Sequence, residues 1–453
     1  STLAIDTVCP CKTYLIFNAY RLLVSMTEDL VASCAEVCAN SPDKQARLGS
    51  IVWLGETDYP QRWTGPTLPR KYQANEADML RAMTSDPDTD VRTAALSKLN
   101  THIRTTISED SDSYIIWKGT LGEEITAIGA GCDKSHLVIG VTAPTPTKRG
   151  FALLSFNLDS KKADWVFSSS GAVNCTPQTT EDSIFFTSYD GTVYCADSTT
   201  GKAIWRRQVE GSQGWRAQNR ILLVEHMVVV AAARCLWALD QATGDVLWNM
   251  EMNPKGKDQP SLSDCVAYAS GYLFAPLCGD RVVKISSFGQ VVAERDLGGA
   301  TVHQLVSGSD RVYTITSIEY SATLSALSAS DLTPLWKTEV AQAISVCETR
   351  GITDTIIVAV SDHTIALDAA TGKPLWRVKE FGQFSNIMGT VDDCLIIEDP
   401  FFRLQIRHVD NGEIRLVYPA ALYATSSVYT QGNIVAAGDS YGTLWLLRVP
   451  EGL

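Results

Sequence analysis

The chain has no apolar run long enough to cross a bilayer. Its best candidate, Tyr14 to Met26, is short and broken by Asn18 and Arg21. No leader is recognisable at Ser1, a start compatible with a cleaved leader or a removed initiator methionine. Cations are the minority: 38 Lys plus Arg against 51 Asp plus Glu leave a net charge of −13, and no basic stripe or RNA-binding motif offsets it. Neutralising phosphates needs clustered cations, so nucleic acid is not an expected partner. Low-complexity tracts are also missing, and 45% of the residues are hydrophobic, which reads as globular throughout. At 453 residues the chain exceeds what one compact core organises, so a repeat domain with an appendage is expected.

Catalytic constellations are absent too. The six histidines (His102, His136, His226, His303, His363, His408) stand singly, without His-x-x-x-His or His-Glu-x-x-His spacing, and each reads as a strand or surface residue. There is no Gly-x-Ser-x-Gly elbow and no phosphate-binding loop, so no enzyme can be assembled from the visible motifs. Twelve cysteines are present, but eight of them (Cys132, Cys175, Cys195, Cys235, Cys265, Cys278, Cys347, Cys394) are scattered, mostly in apolar segments, as small buried hydrophobes. Scattered free thiols favour a reducing, intracellular compartment, with the cytoplasm or an organelle reached after leader removal as the expected location. The other four, Cys9, Cys11, Cys34 and Cys38, cluster near the N-terminus. Cys34 and Cys38 lie one helical turn apart, so a fold-back could gather four sulfurs into a zinc site or paired disulfides, or leave four free thiols.

What is present is a repeat. Thr364 to Val378 reads TIALDAATGKPLWRV; Val193 to Arg206 reads VYCADSTTGKAIWR and Leu236 to Asn249 reads LWALDQATGDVLWN. Trp205 and Trp248 stand 43 residues apart, and Trp336 and Trp376 stand 40 apart, a period that signifies stacked supersecondary units. In one unit, alternation puts Ile365 and Leu367 on one face of a half-buried strand. Asp368 then caps a turn by accepting amide hydrogen bonds, and Gly372 supplies the positive φ at its end. Asp197 and Asp240 have the same role, as do Gly201 and Gly244. Trp376 follows in the partner strand, where it can bury roughly 150–250 Å² against a neighbouring unit. The equivalent docking positions are Trp165, Trp205, Trp248, Ala293, Trp336 and Leu416, anchored by the turn glycines Gly201, Gly244, Gly289, Gly372 and Gly412.

Each unit carries further apolar runs, such as Ser183–Thr187 and Thr355–Val360, and so holds about four strands. Four-stranded units repeated radially describe a β-propeller. Seven units are complete. The eighth is split: Ala421 to Arg448 supplies three strands, and Ser113 to Gly119, with Trp117 at the docking position, supplies the fourth. The expected architecture is a mainly β, eight-bladed propeller over 111–453, closed by strand 113–119 on the last blade, because a propeller avoids an open sheet edge.

The pattern of Ala-Leu-Asp, two variable residues, Thr-Gly and a Trp four residues later resembles the PQQ-type, quinoprotein-like propeller repeat. That repeat occurs in quinoprotein alcohol dehydrogenases and in the propeller lipoprotein of the outer-membrane assembly machine. The resemblance covers roughly Ser113 to Val449, with three close copies. For the dehydrogenases it implies a central quinone held against a vicinal Cys-Cys disulfide, with calcium on acidic and amide side chains and an Asp as general base. This chain has no Cys-Cys pair and no Cys-x-x-Cys-His haem attachment, so the resemblance carries no catalytic or cofactor residue onto any position.

Residues 1–110 lack the repeat and read as helical. Thr13 to Asn40 predicts one long amphipathic helix ended by Ser41-Pro42. Residues 41–74, with Trp53, Tyr59 and Trp63, read as an extended, ordered connection. Residues 75–108 read as a helical hairpin. Its second helix carries Val91, Ala95, Leu99 and Ile103 on one face, with Asp86-Pro87-Asp88 at the start. DPDTDVRTAALSKL resembles a HEAT-type repeat helix. The longer loops, Ala143–Gly150 with Lys148 and Arg149, Asn253–Ser261 with Lys255, Lys257 and Asp258, and Ser317–Ala322, are candidate contact points. The expected function is a non-catalytic scaffold docking other subunits of an intracellular assembly. The alternatives are an extracytoplasmic assembly factor and a quinoprotein-type oxidoreductase.

Overall fold

The computed structural model describes residues 39–44, 46–48, 78–106, 114–144, 149–173, 175–209, 220–232, 234–252, 265–318, 321–340, 343–349, 354–360, 363–379, 386–391, 393–398, 403–421 and 428–450. The helix read over 13–40 therefore lies almost wholly outside the described residues, as do Cys9, Cys11, Cys34, Cys38 and most of the connection 41–74.

The strands form eight four-stranded antiparallel sheets. Blades 1 to 7 occupy 124–169, 178–208, 220–251, 267–296, 301–340, 343–379 and 386–421, and each is a meander from an inner to an outer strand. Blade 8 combines 428–448 with Ile115–Thr120, which pairs antiparallel with Thr443–Arg448 from Ile115↔Leu447 to Thr120↔Thr443. Inner strands of most neighbouring blades touch, including those of blades 8 and 1. The first strand of the ring thus completes the last blade, so strand pairing joins the two ends of the propeller segment.

Second strands read as unbroken apolar runs because a blade is covered on both faces. Met227–Ala232 (MVVVAA) and Thr355–Val360 (TIIVAV) are buried at every position. The same cover corrects the half-buried reading of the third strand. In His363–Asp368, Thr364, Ala366 and Leu367 are buried and Ile365 is partly so, because both faces meet a neighbouring blade. Outer strands alternate as a half-exposed strand should, as in Val246–Glu251 and Ala203–Gln208.

Antiparallel order sends the hairpins between first and second and between third and outer strands to one end of the ring. Everything else emerges at the other end. Of the three candidate loops there, Ser317–Ala322 shortens to 319–320, which lie outside the described residues, because strands Arg311–Ile318 and Ser321–Ser328 pair out to Ile318↔Ser321. Pro144↔Arg149 likewise shortens the first to 145–148, which lies outside the described residues, as does 253–264.

The helical pair comprises residues 78–83 and Thr89–Thr106. Asp88 caps the second helix, its Oδ1 accepting from the amides of Asp90 (2.9 Å) and Val91 (3.4 Å). Residues 44 and 46–48 are helical, not extended as the sequence suggested. Lys44 and Arg47, one turn apart, reach the acidic start of the helix Thr89–Thr106: Lys44 Nζ lies 3.1 Å from Asp88 and 2.6 Å from Asp90, and Arg47 Nε lies 2.6 Å from Asp86.

Candidate interaction surface

The blade junctions are built from the repeat. Each docking tryptophan sits on an outer strand and packs on the turn of the following blade. The indole Nε1–H of Trp165, Trp205, Trp248, Trp336 and Trp376 donates to the carbonyl of Ser198 (3.0 Å), Gln241 (2.9 Å), Ser287 (2.8 Å), Ala369 (2.9 Å) and Val409 (2.7 Å). The ring covers the glycine of that turn. A Cβ on Gly201, Gly244, Gly289, Gly372 or Gly412 would lie 2.4–2.7 Å from the ring of Trp165, Trp205, Trp248, Trp336 or Trp376 respectively. The Gly and Trp of one sequence motif therefore serve opposite sides of a blade. Trp117 packs with Phe156 at a centroid distance of 5.2 Å, and the turn it faces has Lys161 at φ 58° in the glycine place.

The turn aspartates cap. Asp197 accepts from the amides of Thr199 and Thr200 and the Thr200 hydroxyl, Asp240 from Ala242 and Thr243, and Asp368 from the amide and hydroxyl of Thr371. These bonds hold each carboxyl below the usual range: the Thr200 hydroxyl leads at Asp197, the Thr243 amide at Asp240 and the Thr371 hydroxyl at Asp368.

Volume is exchanged across the strand pair. Ser155, Cys195, Ala238, Ala326 and Ala366 face Trp165, Trp205, Trp248, Trp336 and Trp376, whereas Lys284 faces Ala293 and Ile406 faces Leu416. Trp117, opposite Leu446, departs from this exchange. In blade 4 the buried Lys284 supplies the donor that the missing indole would have: Nζ lies 2.8 Å from the Ser330 carbonyl and 3.8 Å from the Tyr272 ring centroid. Blade 5 matches it, with Leu332 at φ 62° in the glycine place, packed in the cluster that Ala293 joins. None of this compensation was read from the sequence, where Ala293 looked only degenerate. Its signal was the large residue across the strand.

The helical pair occupies the rim at blades 6 and 7. Leu80, Met83, Val91, Ala95 and Leu99 pack with Ile414 and Val417, and Leu96 joins the cluster of Trp376, Val378 and Val409. Buried Asn100 fixes the register: its Nδ2 donates to the Gly412 carbonyl (3.0 Å) and its Oδ1 accepts from the Ile414 amide (2.8 Å). Arg81 adds an ion pair to Glu413 at 3.1 Å. Under this cover Trp376 is 7% exposed, whereas the other docking tryptophans stay partly exposed. The rest of the rim keeps apolar side chains in solvent. Val246 and Leu247 of blade 3 and Phe288, Val291 and Val292 of blade 4 are exposed, Phe288 by 82%. Beside this stretch Arg207 pairs with Asp245 at 2.8 Å and Arg281 with Glu294 at 2.8 Å.

Among the described residues, Cys132, Cys175, Cys195 and Cys278 are free thiols. Burial pushes Cys175 and Cys195 up to about 11. His136, read as a lone strand histidine, is not alone. Asp133 Oδ1 lies 2.6 Å from its Nδ1 and Asp164 Oδ2 lies 2.8 Å from its Nε2.

The family description that matches residues 110–304 and 232–377, together more than half of the chain, is outer membrane protein assembly factor BamB, a PQQ-type repeat model. The chain belongs to this PQQ-type propeller family. No curated protein matches the sequence. Three solved structures are similar in fold. BamB from Moraxella catarrhalis is 13% identical with a TM-score of 0.58, covering 74% of this chain and 99% of its own. Sqt1 of Chaetomium thermophilum, bound to the N-terminus of ribosomal protein L10, is 9% identical with a TM-score of 0.57, covering 74% and 99%. Quinohemoprotein alcohol dehydrogenase from Comamonas testosteroni is 11% identical with a TM-score of 0.55, covering 83% and 85%. The eight-bladed, PQQ-type reading of the sequence is therefore correct. The family match begins at residue 110 and lends no support to the HEAT-type likeness of 86–99.

Proposed function

We propose that this PQQ-type propeller is a non-catalytic scaffold subunit that holds protein partners on its rim, within an intracellular, reducing compartment. One observation carries the reading: the rim already seats a helical pair at blades 6 and 7, while blades 3 and 4 hold Val246, Leu247, Phe288, Val291 and Val292 in solvent. Apolar residues grouped on a solvent face mark protein contact surfaces. The Sqt1 complex, in which a propeller of similar fold holds a segment of another protein, lends support by analogy of fold.

The test is native mass spectrometry of the complex from its source, without reductant, for the parent and a Leu247→Asp, Val292→Asp variant. Additional protein subunits that leave the variant support the scaffold. A lone chain carrying a quinone-sized adduct and calcium overturns it. The family's assembly-factor description favours a second reading, an extracytoplasmic factor. Oxidised Cys9, Cys11, Cys34 and Cys38 in the same spectrum would select that reading over the intracellular one.

A further inference from the structure

One group among the described residues brings three kinds of metal donor together. The sulfur of Cys132, a carboxylate oxygen of Asp133 and a ring nitrogen of His136 all lie within 4.8 Å of one another. They share the hairpin joining the first two strands of blade 1, closed by Gly131 N–H donating to the His136 carbonyl at 3.0 Å. Asp133 Oδ1 also accepts from the Ser135 amide (2.8 Å) and hydroxyl (2.8 Å).

The fourth residue decides the orientation of the imidazole. Asp164, on the outer strand of the same blade, accepts from His136 Nε2 at 2.8 Å, and Asn157 Nδ2 stands 3.2 Å from the same nitrogen. A carboxylate on the far nitrogen is how metal-binding histidines are held, since it fixes the tautomer and raises ligand basicity. Nδ1 faces the Asp133 carboxylate 2.6 Å away, a contact that an Nδ1 proton bridges and that a metal ion would take over by displacing this proton. The Cys132 sulfur beside both completes a set of thiolate, imidazole and carboxylate, which suits zinc-like divalent transition metals over magnesium or calcium.

We propose that Cys132, Asp133 and His136 bind one such ion, with Asp164 as the residue that positions His136. Zinc holds sulfur at about 2.3 Å and nitrogen or oxygen at about 2.0–2.2 Å, so its donors stand about 3–4 Å apart. The 2.6 Å contact must open and the sulfur close in, which rotations of the partly exposed Cys132 and exposed Asp133 side chains allow. Three protein ligands leave a fourth position open to water or a partner's side chain. On binding, the thiol proton of Cys132 and the proton between His136 Nδ1 and Asp133 are released to solvent.

Cobalt(II), which reports thiolate ligation by a charge-transfer band, is the probe for the full-length chain after chelator treatment, with zinc as competitor. Since Cys9, Cys11, Cys34 and Cys38 could bind the same ion, stoichiometry is compared between parent and variants by native mass spectrometry. Cys132→Ser and His136→Gln should each lose one ion per chain. Asp164→Asn, a conservative change at an exposed residue, should keep the ion but bind it about 10–100-fold more weakly. An unchanged ion count in folded Cys132→Ser or His136→Gln overturns the site. Unchanged affinity in Asp164→Asn overturns the positioning role.

Discussion

Gly201 lies under the indole of Trp165, so close that a Cβ there would stand 2.5 Å from the ring. The two residues belong to successive blades, and the same contact recurs at four further junctions. Blade packing is therefore a chain of tryptophan-on-glycine contacts, each sealed by an indole hydrogen bond to the turn carbonyl.

Gly201→Ala and Gly372→Ala should each destabilise the propeller by about 1–3 kcal/mol, because positive φ disfavours a Cβ and the ring blocks it. Chemical denaturation of single variants checks this. A change within about 0.5 kcal/mol would show that the ring yields freely.

Blade 4 offers the converse. Ala293→Trp alone should destabilise by about 1–3 kcal/mol, since Lys284 and Leu332 fill the space. Combined with Lys284→Ala and Leu332→Gly it should recover much of that loss. A coupling energy near zero in the mutant cycle would mean that the three residues do not share one site.

Asn100 joins the helical pair to blade 7 through two buried hydrogen bonds. Asn100→Leu leaves the Gly412 carbonyl and the Ile414 amide unpaired, at about 1–3 kcal/mol for each group. The expected result is local: faster amide exchange in the helix Thr89–Thr106, with the melting temperature of the blades little changed. Uniform acceleration across the propeller would instead make the helices part of its folding unit.

The turn aspartates predict acid sensitivity. Asp197, Asp240 and Asp368 have carboxyls held below their unfolded value of 3.8. Their contribution is present in full above that value and is lost as pH falls through the lower folded one. Asp197→Asn, Asp240→Asn and Asp368→Asn together should flatten the fall in stability below about pH 4. Parallel pH curves for parent and triple variant would refute the capping role.

The repeat spacing, the Asp-to-Trp pattern and the apolar runs were enough to count eight blades, because alternation and turn chemistry are set within a few residues. They also identified Trp165, Trp205, Trp248, Trp336 and Trp376 as the residues that dock one unit on the next. Ring closure determined the rest. Which glycine each tryptophan covers depends on a neighbouring unit, as with Trp165 and Ser198, 33 positions apart. His136 meets Asp164 at a separation of 28, and Asn100 meets Gly412 at a separation of 312. Periodicity reports which face of a strand a residue takes. It carries no information about what another strand or blade brings against that face, so the rim, the compensated blade 4 junction and the contact of Asp164 with His136 were decided by tertiary structure.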